Sequence, residues 1–121
     1  MASILLSEAD PDVRRLLVLL LERLGHQAIV LEGGDLESPP TADLLLLEPA
    51  APDCLEQARR IRSERPSLPV VCVSVLPAEA RFLTLGPLAY LTKPFTFEEL
   101  DASIAAALAP ADSSRHASCI A

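Results

Sequence analysis

The sequence is poor in aromatic residues, which make up 3% of its 121 positions, although half of the chain is apolar. Leucine, valine, isoleucine and alanine must therefore pack its core, and the length is that of one domain. We predict one domain over residues 1–109. The segment from Pro110 onward has no periodicity, so we interpret residues 110–121 as either a disordered tail or the start of a linker.

Long apolar runs and a basic leader are also missing. No run approaches the length of a membrane span, and the N-terminal segment lacks the basic region and cleavage site of a secretory signal. Acidic residues outnumber basic ones, which gives a formal net charge of −7 at pH 7. An acidic domain is poorly suited to nucleic acid or to an anionic membrane. We predict a cytoplasmic protein whose domain binds neither.

Cysteine and histidine are too few and too scattered for a metal centre. The three cysteines are an odd number without metal-ligand spacing, and a disulfide is not expected in a reducing compartment. Cys72 lies in an apolar run and is predicted to be a core residue. His26 and His116 are each isolated, so neither is expected to bind a metal or to transfer a phosphoryl group.

Strand and helix patterns alternate along the chain. The predicted strands are residues 4–6, 27–31, 44–47, 68–74 and 89–92, and the predicted helices are 11–24, 52–65, 77–85 and 97–108. Glycines and prolines between residues 32 and 42 leave room for at most one helical turn, near Asp35 to Glu37. This alternation predicts an α/β fold with a parallel sheet and helices on both faces.

Helix boundaries and buried faces follow from the same patterns. Asp10 before Pro11 predicts a capped helix start, and Thr96 with Glu99 forms the pattern of a capping box. Apolar residues at helical spacing predict the faces that pack on the sheet. In the first helix these are Val13, Leu16, Leu17, Leu20, Leu21 and Leu24; in the second, Leu55, Ala58 and Ile61; in the last, Phe97, Leu100, Ile104 and Leu108.

Polar residues follow the predicted strands, at the points where the strands end. Ser7 and Glu8 follow the first, Glu48 follows the third, Ser74 ends the fourth, and Thr92 and Lys93 follow the fifth. Lys93 is the only lysine in the chain. Because open parallel sheets bind ligands at the carboxyl ends of their strands, we expect two acids, one hydroxyl and this lysine to converge there.

Four stretches, in this order and spacing, resemble a bacterial response-regulator receiver domain over roughly residues 3–109. They are ILLSEADPDVRRLL, DLLLLEPAAPD, LPVVCVS and AYLTKPF. The resemblance implies a flavodoxin-like, doubly wound sheet of five parallel strands in the order 2-1-3-4-5. It also implies that the second helix of the family is missing or much shortened here. It places Glu48 at the phosphoacceptor position, Glu8 and Ala9 at the acidic pair, Ser74 and Tyr90 at the switch positions, and Lys93 at the phosphate-contact position.

The chain departs from the family at the residues that carry its chemistry. In such domains an aspartate accepts a phosphoryl group from a histidine kinase, and it holds Mg²⁺ together with the acidic pair. Here Glu48 is one methylene longer, Ala9 removes a carboxylate, and Asp10 is predicted to be a helix cap. A shift of roughly 1.5 Å in an oxygen position exceeds the tolerance of a Mg²⁺ site. We therefore expect weak or absent Mg²⁺ binding, no other cofactor, and no conventional phosphorylation.

Three positions have two interpretations each. Glu48 is expected to form a surface-open ion pair with Lys93, worth on the order of 0–1 kcal/mol. This pair either stands in permanently for the phosphorylated state or only stabilises the fold. Ser74 is a switch hydroxyl or a turn residue, and Tyr90 is a gated switch or a half-buried packing residue. Val75 stands where the family prefers a small side chain.

The resulting hypothesis is a pseudo-receiver that is not an enzyme. It would act as a phosphorylation-independent interaction or regulatory module in bacterial signal transduction. A signalling protein or an output domain would bind the surface near residues 80–85 and 90–99. The alternative is a functioning phosphoacceptor of a two-component system that uses Glu48 or a nearby acid. An enzyme of flavodoxin-like fold is disfavoured because the sequence contains no glycine-rich phosphate loop and no nucleophile–base pair.

Overall fold

A computed structural model describes residues 2–31 and 40–109. The elements are β1 (Ser3–Ser7), α1 (Pro11–Arg23), β2 (Gln27–Val30), β3 (Leu44–Leu47), α2 (Pro52–Glu64), β4 (Val70–Ser74), α3 (Ala80–Leu83), β5 (Ala89–Thr92) and α4 (Phe97–Leu108). All strand pairs are parallel, and the sheet order is β2-β1-β3-β4-β5. The predicted five-stranded sheet and its order are confirmed.

Several predictions fall on positions outside the described residues. These are the helical turn near Asp35 to Glu37, the tail of residues 110–121, His116 and Cys119. Of the segment between β2 and β3, only residue 31 and residues 40–43 are described, and none of these is helical; the described helices number four. None of these four is long and apolar enough to cross a membrane.

Strand β3 is entirely leucine because both of its faces are covered. All four of its side chains are at most 1% exposed. Leu45 and Leu47 belong to the core under α2 and α3, whereas Leu44 and Leu46 belong to the core under α1 and α4. Successive side chains of a strand point to opposite faces, so one run of leucines serves two cores.

The predicted helix caps are present. One carboxylate oxygen of Asp10 accepts hydrogen bonds from the backbone N–H groups of Asp12 and Val13 at 2.9 and 3.3 Å. At α4, the Thr96 hydroxyl accepts from the Glu99 N–H, and the Glu99 carboxylate accepts from the Thr96 N–H. Both helices therefore begin where the sequence places their caps.

Two details of the helices differ from the predictions. The helix expected over residues 77–85 spans only Ala80–Leu83. The hydroxyl of Tyr90 donates to the carbonyls of Leu76 at 2.9 Å and Pro77 at 3.2 Å. In a helix that began at residue 77, these carbonyls would accept hydrogen bonds from N–H groups of the helix itself. Leu16 was expected to be buried and is 52% exposed, because α1 turns Leu17 and Leu21 toward the sheet instead.

The Asp10 cap yields a stability prediction. Asp10→Ala removes the acceptor for two N–H groups of α1 and should lower the free energy of unfolding by about 1 kcal/mol. Asp10→Ser keeps a capping oxygen and should retain most of that stability. Urea denaturation of the two variants beside the wild type measures the difference. Equal losses in both variants would show that the cap does not stabilise α1.

Candidate functional site

The polar residues singled out in the sequence meet at the carboxyl edge of the sheet. The Glu48 N–H donates to the Ser7 carbonyl at 3.0 Å, and the Lys93 N–H donates to the Ser74 carbonyl at 2.7 Å. The backbone ladder therefore continues one residue beyond β3 and β5. It holds Glu48 against the end of β1 and Lys93 against the end of β4, as the strand order requires.

Lys93 lies between two carboxylates. Its Nζ is 2.7 Å from Oε1 of Glu8 and 3.2 Å from Oε1 of Glu48. The exposed fractions are 14% for the lysine side chain and 3% and 6% for the glutamates. The expected Glu48–Lys93 pair is present, but the expectation that it is open to the surface is wrong. The shorter contact is to Glu8, so the pair is in fact a buried triad.

Every carboxylate oxygen of the triad accepts a hydrogen bond. Oε2 of Glu8 accepts from the Asp10 N–H at 3.2 Å, and Oε2 of Glu48 accepts from the Ala50 N–H at 3.0 Å. Oε1 of Glu48 accepts from the Val75 N–H at 3.0 Å in addition to Lys93. Buried charges need such partners to offset their desolvation, and this site supplies them from four separate loops.

The ionised form of Glu48 is favoured on balance. Burial raises its pKa, but the Ser74 hydroxyl, the Ala50 and Val75 N–H groups and the charge of Lys93 lower it. The net pKa lies below the ordinary value of 4.5. Glu48 is therefore a fixed anion at neutral pH.

Ser74 and Tyr90 are both held in place. Ser74 is fully buried, and its hydroxyl accepts from the Leu76 N–H at 3.1 Å while also contacting Glu48. Tyr90 is half-buried, and its ring stacks on Phe82 with the centroids 6.4 Å apart. Ser74 thus has both a turn contact and a site contact, and Tyr90 ties β5 to the loop after β4. Val75 turns its side chain to solvent, with 62% exposed, while its N–H binds Glu48.

The acidic pair is reduced to one side chain. Ala9 is exposed and carries no oxygen ligand, and one oxygen of Asp10 is occupied as the cap of α1. Over residues 2–31 and 40–109, His, Cys, Asp and Glu side chains form no group of three that could hold a metal ion. His26 is used structurally, because its Nδ1 accepts from the Ala2 N–H at 3.2 Å.

A second buried polar contact was not predicted. The Ser7 hydroxyl donates to Oε1 of Gln57 on α2 at 2.7 Å. Cys54, one turn earlier on α2, is also buried. Burial raises the pKa of its thiol, and the charges of Glu8 and Glu48 raise it further, whereas the hydrogen bond with Ser7 lowers it. Burial likewise raises the pKa of Cys72 to about 12. Gln57 is a polar residue on the otherwise apolar buried face of α2, and this is the feature of the sequence from which a buried polar contact could have been predicted.

Comparison with known proteins gives one curated relative and many similar structures. No family model matches the sequence. The uncharacterized transcriptional regulatory protein YkoG of Bacillus subtilis (strain 168) is 34% identical over 114 residues, which cover 87% of this chain. The chain spans about half the length of that relative, 50%.

Two solved structures show how far the fold is shared. A two-component response regulator from Clostridium difficile is 25% identical with a TM-score of 0.75, over 93% of this chain and 100% of that one. The receiver domain of the sensor histidine kinase PA1611 from Pseudomonas aeruginosa PAO1 is 22% identical with a TM-score of 0.78, over 90% and 98% of the two chains. That structure has a magnesium ion coordinated in its active-site cleft.

Removal of the central cation should destabilise the fold. Lys93→Met leaves two glutamates that are 3% and 6% exposed without their cation, and the free energy of unfolding should fall by about 3 kcal/mol. In Glu8→Gln/Lys93→Met, one of the two uncompensated charges is also removed, so part of the loss should be recovered. Chemical denaturation at neutral pH measures both variants. A Lys93→Met protein as stable as the wild type would contradict a buried triad.

The lowered pKa of Glu48 predicts an acid-dependent contribution to stability. A carboxyl group whose folded pKa is depressed stabilises the fold above its unfolded pKa, and this contribution is lost as the pH falls through the folded pKa. The stability advantage of the wild type over Glu48→Gln should therefore be constant near neutral pH and shrink below about pH 4.5. Unfolding titrations of both proteins across this range test the sign. An advantage that grows on acidification would contradict it.

Proposed function

This chain has the receiver-domain fold of two-component response regulators, and we propose that within that family it is a phosphorylation-independent pseudo-receiver. Its role is that of an interaction or regulatory module in bacterial signal transduction, and it has no catalytic activity of its own. The observation that carries this proposal is the occupation of the phosphate-contact residues. Lys93 and Ser74 are both already engaged by the Glu48 carboxylate.

The residues at the edge do not fit a Mg²⁺ ion. Mg²⁺ requires near-octahedral oxygen coordination at short distances, usually from one or two carboxylates and several waters. Both oxygens of Glu8 and of Glu48 accept hydrogen bonds from the protein, and the Lys93 ammonium sits at the position between them. A divalent cation there would have to displace this lysine. We therefore propose that Mg²⁺ binding is weak or absent.

Glu48 takes the place of a phosphoryl group electrostatically. The resemblance assigns the hydroxyl and the lysine of a receiver to the phosphoryl oxygens. In this chain the carboxylate of Glu48 contacts the Ser74 hydroxyl, the Lys93 ammonium and the Val75 N–H. The extra methylene thus lets one residue satisfy groups that otherwise need a modification. We propose that this fixed anion holds the loop after β4 in one conformation without phosphorylation.

The surface near residues 80–85 and 90–99 is the proposed docking site for a signalling protein or an output domain. Leu83 is 51% exposed on α3, and Leu88 in the following loop is 45% exposed. The Arg81 guanidinium lies 4.6 Å from the centroid of the Phe82 ring, and Tyr90 stacks on the same ring. This links the exposed surface to the loop that Glu48 holds. Because the domain carries a net charge of −7, we propose that any contact with nucleic acid belongs to another domain.

Phosphorylation by a small-molecule donor separates this proposal from the alternative of a functioning phosphoacceptor. After incubation with acetyl phosphate and Mg²⁺, the intact mass of the protein should show no metal-dependent gain of one phosphate. Glu48→Asp should also stay unlabelled, because Ala9 still supplies no carboxylate. A labelled wild type would overturn the proposal. Labelling of Glu48→Asp alone would show that the missing carboxylate at Ala9 matters less than the length of Glu48.

A further inference from the structure

Helix α1 presents a second face that the described chain leaves exposed. Leu17 and Leu21 pack on the sheet, but Leu16 and Leu19 are 52% and 57% exposed. They lie between Asp12 and Arg23, which are also exposed. The spacings of four, three and four residues place these four side chains along one line of the helix. We call the four residues the α1 stripe.

The stripe has the spacing of a helix–helix seam and an ordered set of charges. Positions repeating at four and three residues are the core positions of paired helices, and the flanking positions carry charges that select the partner. Here Arg15 and Glu22 take equivalent flanking positions seven residues apart, on the same side of the stripe, and both are exposed. In the described part of the chain, neither Asp12 nor Arg23 takes part in an ion pair.

The charges are complementary to a second copy of the same helix in one direction only. In an antiparallel pair with its two-fold axis between Leu16 and Leu19, these leucines meet each other, and Asp12 of each copy meets Arg23 of the other. Arg15 and Glu22 then face each other across one flank. A parallel pair would instead place Asp12 against Asp12 and Arg23 against Arg23, which is repulsive. An isologous contact needs such a self-complementary surface.

We propose that the α1 stripe is a self-association surface, on which two copies of this chain pack as an antiparallel helix pair. An apolar cleft of about 210 Å³ between α1 and the Pro94–Phe95 segment opens beside Leu16 and extends the apolar area of the contact. The stripe is about 16 Å long, so one helix pair buries less than the roughly 800 Å² per partner of a stable dimer. The association is therefore weak and depends on protein concentration.

Charge reversal tests the proposal. Sedimentation equilibrium of the wild-type chain from about 10 μM to about 1 mM should show a reversible monomer–dimer equilibrium. Asp12→Arg, or Arg23→Asp, turns two attractive pairs into two repulsive ones and should weaken dimerisation about tenfold or more. The double variant Asp12→Arg/Arg23→Asp restores both pairs in reversed polarity and should recover most of the affinity. If the two charges acted only through the dipole of α1, each substitution would destabilise the helix, and the two losses would add in the double variant without any recovery of affinity.

A second charge pair and a surface control complete the experiment. Arg15→Glu, Glu22→Arg and their combination repeat the test on the flanking positions, in case an Asp12 or Arg23 variant fails to fold. Leu83→Gln changes the proposed partner surface on α3 and should leave dimerisation unchanged. A test of dimerisation therefore reports on the α1 stripe and is separate from a test of the proposed function. A chain that stays monomeric to about 1 mM, or a double variant without recovery, would overturn self-association and leave the stripe to a helix of another protein.

Discussion

The contact of the Lys93 ammonium with the buried carboxylates of Glu8 and Glu48 is the interaction on which the carboxyl edge of this domain depends. Its three groups come from the ends of β1, β3 and β5, so one ammonium connects three strands that are not consecutive in the chain. Charges this deeply buried are tolerated only with paired and hydrogen-bonded partners. The backbone N–H groups of Asp10, Ala50 and Val75 supply those bonds and thereby hold three loops against the same site.

That arrangement is the physical basis of the proposal that this domain keeps a receiver fold without the chemistry of a receiver. A phosphoacceptor site has to keep carboxylate oxygens free for a metal ion and leave a lysine and a hydroxyl available for the incoming phosphoryl group. Here Glu48 uses the lysine, the hydroxyl and a loop N–H itself. In the proposed function, the same contacts that stabilise the fold would also close the site to modification.

The surfaces available to partners are set by different helices. The α3 surface is linked to the site through the loop after β4, which the Tyr90 hydroxyl and the Val75 N–H both hold. The α1 stripe lies on a helix whose other face packs on the sheet, and the Asp10 cap of that helix contacts the same site through its N–H, which donates to Glu8.

The elements, their parallel arrangement and the edge at which the polar residues meet all follow from local patterns in the amino-acid sequence. Alternating buried runs and helical stripes, the Asp10 and Thr96 caps and the all-leucine β3 are local patterns, and local patterns can be read without coordinates. Three features depend on the tertiary fold: Glu8 rather than Glu48 makes the shorter contact to Lys93, both glutamates are buried, and Ser7 pairs with Gln57. The tertiary fold also exposes Leu16 and leaves α3 one turn long, with the Tyr90 hydroxyl donating to the carbonyls of Leu76 and Pro77 before it. Each of these depends on distances between residues far apart in the chain, and a periodic pattern carries no information about such distances.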